Sequence, residues 1–145
     1  MGAKTFFTAE QRQEIRRAIV RAELNTSGEI RVHIDDKCTE EVLDRAANTF
    51  QKLKMTRTEL RNGVLFYLAV SDRKFAILGD KGINEKVPAD FWDNIKDEMQ
   101  MYFKQEKFTE GLCRGIDMAG EKLKIHFPLK GNDINELNND VSFGN

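Results

Sequence analysis

The chain has 145 residues, 40% hydrophobic and 32% charged, enough for one domain whose core is stable without disulfide staples. Its 23 Lys plus Arg nearly cancel its 24 Asp plus Glu, which leaves no basic field to recruit nucleic acid or anionic lipid. No stretch reaches the roughly 20 apolar residues of a membrane span, and the opening MGAKTFFTAEQRQE lacks the apolar core of a signal peptide, so a cytoplasmic protein is expected.

Gly2 does not open a myristoylation motif, because Phe6 stands where Ser or Thr is required. Thr8 and Gln11 have the spacing of a capping box. Ile15, Ala18, Ile19 and Ala22 then recur at helical intervals, predicting an amphipathic helix over residues 9–24. In residues 28–35, GEIRVHID, Ile30, Val32 and Ile34 alternate with Glu29, Arg31 and His33, the period of a strand with one better-buried face. Thr39 is the expected cap of a second helix, with Glu40 and Glu41 in its first turn and Val42, Leu43, Ala46, Ala47, Phe50 and Leu53 as its buried stripe.

Asn62-Gly63 leads into VLFYLAV, apolar on both faces as a central strand covered by helices would be. Ser71-Asp72-Arg73-Lys74 breaks the run, and KFAILG reads as its hairpin partner. A strand, a crossover helix and a doubly buried strand form a βαβ unit, so the first two strands should be parallel and the third antiparallel. The spacing predicts a third helix with Pro88 in its first turn and a broad apolar face of Phe91, Trp92, Ile95, Met99, Tyr102 and Phe103. Thr109 and Glu110 open the expected last helix, with Leu112, Ile116, Ala119 and Leu123 buried. Gly115 and Gly120 cost helix propensity there and so imply close packing. The expected domain spans residues 1–128; residues 129–145 have little to bury and read as a polar, flexible tail.

Three stretches coincide in this order: SGEIRVHI, then RNGVLFYLAVSDRKFAILGDKGI, then Phe108, Gly111 and Leu112 in the last helix. Together they resemble the TPM domain family, over about residues 8–128. The resemblance implies a three-layer α/β/α sandwich, Rossmann-like in layering, with a mixed sheet. It also implies divalent-cation binding, acid phosphatase activity or an accessory role in assembly. Members are usually exported or anchored, so this chain is similar to a stand-alone cytoplasmic form.

The chemistry the residues support lies at the sheet edges. In sheets with parallel strands, ligands gather beyond the carboxyl ends. Asp35, Asp36 and Asp72 fall at that edge, and hard cations take carboxylate oxygens, so these three are the first-choice site for Ca2+ or Mg2+. Asp72 also suits a hairpin turn. Arg73 reads as the counter-charge of Asp36. At the opposite edge Glu29, Arg61 and Asp80 read as an ion-pair network, with Glu29 and Asp80 as second-choice ligands.

Other chemistries fit less well. DDKCT lacks the second Asp of the aspartyl-phosphatase pattern D-x-D-x-T, and no C-x5-R loop or nucleotide-binding glycine loop is present. A phosphatase here would therefore be metal-dependent, using the same carboxylates. His33 and His126 are too few and too separated for zinc, and His126 suits a helix end. Cys38 and Cys113 lack metal or redox spacing and read as free thiols. DINELNND, residues 133–140, misses the glycine and terminal Glu of a calcium loop. The partner expected overall is a divalent cation, bound by a regulatory or accessory module.

Overall fold

The computed structural model describes residues 2–129 and 137–144. Along the chain run α1 (Ala3–Phe6), α2 (Ala9–Glu23), β1 (Glu29–Asp35), α3 (Val42–Lys52), a 3-10 turn (Met55–Arg57), β2 (Gly63–Ala69), β3 (Lys74–Gly79), α4 (Lys81–Asn84), α5 (Asp93–Lys104), α6 (Phe108–His126) and β4 (Ser142–Phe143). The strands form one mixed sheet in the order β3-β2-β1-β4. β1 and β2 are parallel with Glu29 opposite Gly63 and Asp35 opposite Ala69, and β3 returns antiparallel along β2.

Side-chain alternation divides the core into two layers. Ile30, Val32, Ile34, Val64, Phe66 and Leu68 pack on one face against α2, α5 and α6, where Ile19, Met99 and Ile116 are buried. Leu65, Tyr67 and Ala69 point to the other face and meet Ala46 and Phe50 of α3 and Met55. β2 is buried at all seven positions, as its unbroken apolar run requires. The result is the expected α/β/α sandwich.

Several local features follow the sequence. Gln11 N donates to Thr8 Oγ1 at 3.0 Å and Thr8 N donates to Gln11 Oε1 at 2.9 Å, completing the capping box of α2. A Cβ at Gly120 would lie 2.8 Å from Ala22 Cβ, and one at Gly115 would collide with Met99 Sδ, so both glycines let α6 approach its neighbours. Cys38 and Cys113 are free.

Other expectations shift. α3 starts at Val42, capped by Glu41, whose side chain accepts from Leu43 N at 3.0 Å, instead of at Thr39. Leu43 and Ala47 face solvent while Thr49 is buried. Pro88 lies ahead of α5 in a turn where Phe91 N donates to Pro88 O; Phe91 and Trp92 are buried before the helix begins. α6 starts one residue before Thr109, which is buried inside the first turn.

The polar segment after Leu129 contributes more than its composition predicts. Leu137 is buried in the α3-side core, and Ser142–Phe143 pair in parallel with His33 and Ile34 of β1. The reason is that β1 would otherwise present an open edge beside β2, and even two residues of strand satisfy part of it. Residues 130–136, which hold half of the 133–140 segment, lie outside the described residues. Among the described residues, no helix is long and apolar enough to cross a membrane.

Candidate functional site

β1 ends where two loops are laced together. Val70 N donates to Asp35 O at 3.0 Å and Ser71 N to Asp36 O at 2.8 Å, continuing the parallel ladder past the strand. Cys38 N donates to Asp72 Oδ2 at 2.7 Å, and Lys74 Nζ reaches Cys38 O at 2.9 Å. The Ser71 hydroxyl donates to the Asp36 carboxylate. The parallel register therefore does bring Asp35, Asp36 and Asp72 to one sheet edge, held by segments 36–38 and 70–74.

The three carboxylates have different surroundings. Asp35 is fully buried. Its Oδ2 accepts from Tyr67 Oη at 2.6 Å and Arg45 Nε at 2.9 Å, and its Oδ1 from His33 Nε2 at 3.0 Å. Burial alone would raise its pKa, but the bonds from Tyr67, Arg45 and His33 outweigh it and hold the carboxyl below the usual carboxylate range. Burial lowers the pKa of His33 against the pull of Asp35, so the imidazole is neutral near pH 7. An ionised Asp35 can only accept, which puts the imidazole proton on Nε2. His33 Nδ1 then faces Ser142 Oγ at 2.7 Å. Burial, then donation to Asp35, raises the Tyr67 phenol far above its ordinary value.

Asp35 is thus a buried anion with both oxygens engaged. Asp36 is half-buried and Asp72 is exposed on the hairpin. Glu40, also exposed, lies 3.5 Å from Arg45 Nη1. Among the described residues, no group of three or more His, Cys, Asp or Glu side chains is arranged to hold a metal ion.

At the opposite edge, Arg61 binds Asp80 through two bonds of 2.8 and 2.9 Å, and Lys81 N donates to Asp80 Oδ1 at 2.7 Å. Asp80 caps α4. Glu29 turns elsewhere: it is buried, and its Oε1 accepts from Leu137 N at 2.6 Å. The second-choice pair is therefore divided between two structural tasks. Arg73 pairs with Glu106 at 3.2 Å, not with Asp36, because the hairpin turns it toward α5 and α6. His126 ends α6, its ring in a T-shaped contact with Phe91 at 5.8 Å.

Arg45, Tyr67 and Ser142 were not singled out by the sequence. Tyr67 carried a usable signal, because a phenol inside a doubly buried strand needs a polar partner. Arg45 and Ser142 carried none, since their meeting with β1 depends on the tertiary arrangement.

A family model described as the TPM domain matches residues 3–122. The solved solution structure of BA42 protein from the psychrophilic bacterium Bizionia argentinensis is 50% identical, with a TM-score of 0.92 over 97% of each chain. The N-terminal domain of a P. gingivalis protein is 16% identical with a TM-score of 0.69, covering 85% of this chain and 80% of its own. The N-terminal domain of cg2496 protein from Corynebacterium glutamicum is 11% identical with a TM-score of 0.63, covering 94% and 80%. These two share the fold. No curated protein matches the chain.

Proposed function

The chain belongs to the TPM domain family, and from that premise we propose that it is a regulatory or accessory module that binds Ca2+ or Mg2+ at the loop pair carrying Asp36 and Asp72. The observation that carries this reading is the lacing of the two loops. Hydrogen bonds from Ser71 N to Asp36 O and from Cys38 N to Asp72 Oδ2 tie the two acidic residues to one rim. Asp35 serves as the buried anchor beneath them, engaged by Arg45, His33 and Tyr67. Two carboxylates completed by main-chain carbonyls and water suit a hard cation held at the weak end of the scale, roughly 10⁻⁴ to 10⁻³ M.

The test is a titration with Ca2+ and with Mg2+ followed by backbone amide shifts. Perturbation is expected at Asp36, Lys37, Asp72 and Arg73. Asp72→Asn keeps an oxygen for Cys38 N while removing the charge, so it should abolish the response with the fold intact. Shifts confined to other regions would sink the placement. The phosphatase alternative is read out separately, on a generic phosphate ester with and without Mg2+. No turnover is expected; turnover lost in Asp72→Asn would move the protein into that class.

A further inference from the structure

The hairpin that carries Asp72 has a second side. There, on the α5 and α6 face of the sheet, a cavity of about 130 Å³ opens beside Arg73. Its floor is Leu68, which is buried in β2, and its walls are Phe75, Phe103 and Phe108. The rings are already set in contact geometries: Phe75 meets Phe103 edge to face at 5.0 Å, and Phe103 stacks with Phe108 at 5.5 Å. The polar groups at the rim are Arg73, Lys104 and Gln100.

Size and charge together narrow what fits. Apolar cavities of roughly 150 Å³ take up benzene, so this one suits a single six-membered ring. A ring entering it would continue the existing aromatic array in edge-to-face or offset contacts. Two of the three rim side chains are cations, and a guanidinium accepts a carboxylate through paired bonds. Glu106 bonds to Arg73 through side chains 70% and 64% exposed; an ion pair so open to water contributes little and yields readily to a competing carboxylate. Arg73 and Glu106 also both hold left-handed backbone, φ 53° and 61°, a conformation that non-glycine residues keep only when their surroundings impose it.

We propose that this pocket binds a small aromatic carboxylate, with the ring between Phe75, Phe103 and Phe108 and the carboxylate on Arg73 and Lys104. The pocket is distinct from the cation site: it lies on the α5 and α6 face of the sheet and uses neither Asp36 nor Asp72.

Phenylacetate is the probe, titrated into the full chain and followed by amide shifts, with benzyl alcohol and acetate in parallel. Saturable shifts are expected at Phe75, Phe103 and Lys104 with phenylacetate. Benzyl alcohol should bind at least fivefold more weakly, and acetate should leave the pocket unmoved. The double variant Arg73→Gln, Lys104→Gln should lose at least fivefold in affinity. Glu106→Gln should gain, because it frees Arg73, and a gain does not arise from a damaged fold. Equal binding of benzyl alcohol, shifts centred outside this pocket, or an affinity unmoved by either set of variants would overturn the proposal.

Discussion

Glu23 shows how a single carboxyl couples this fold to pH. It is half-buried at the end of α2, its Oε2 accepting from Ile30 N at 2.9 Å, and burial pushes its pKa up from 4.5 to about 7 despite that bond. The folded state therefore holds the proton more tightly than the unfolded chain. The contribution of Glu23 to stability is full below about pH 4.5 and is lost as pH rises through about 7. At about 1.4 kcal/mol per unit the loss is at most about 3.5 kcal/mol. Glu23→Gln keeps the acceptor and cannot ionise. It should raise the thermal midpoint at pH 8 and leave it nearly unchanged at pH 4.5, as read by thermal unfolding at both values. At the same scale, the sequence located Asp35, Asp36 and Asp72 at one edge from strand ends alone. It did not separate a fully buried Asp35 from a solvent-facing Asp72, because burial depends on Arg45 and Tyr67, which arrive from α3 and β2.

Elements assemble here through close helix approach. A methyl at Gly120 has no room beside Ala22, whose Cβ, Cα and carbonyl oxygen all lie within 3.1 Å of it. The neighbours are short and include backbone, so α2 and α6 must separate to admit it. Gly120→Ala should accordingly cost about 1–3 kcal/mol even though alanine is the better helix former, a sign that denaturant midpoints reveal directly. The close approach was legible, since a glycine in a helix without a capping role needs a packing reason. Helix starts were less legible: Thr39, Pro88 and Thr109 each have a starting residue's chemistry, yet α3, α5 and α6 begin elsewhere. Local capping preferences amount to about 1 kcal/mol, less than the gain from burying Phe91 and Trp92 ahead of α5.

Over the whole molecule, the sheet is closed by residues distant in sequence. Ser142 stands against His33, Gly144 N donates to Ile34 O at 2.9 Å, and Asp140 pairs with Arg16 of α2. Composition gave little hint of this, because the segment is mostly polar: it satisfies groups on β1 as well as packing Leu137, Val141 and Phe143 on the core. Ser142→Ala would leave His33 Nδ1 in place without its hydroxyl partner, at a cost of about 1–3 kcal/mol. Denaturant unfolding should register that loss, and limited proteolysis should cut residues 137–144 sooner than in the parent chain.

The pairing of β1 with β4 sets an order of events in time. His33 and Ser142 are 109 residues apart, and a chain grows at roughly 5–20 residues per second. For about 5–20 seconds after it is made, β1 exists while its neighbour on one side does not. Throughout that interval His33 lacks its serine, Glu29 lacks the Leu137 amide, and one margin of the strand stays open to any other extended chain nearby. The last strand, short as it is, decides when this nascent chain stops being vulnerable.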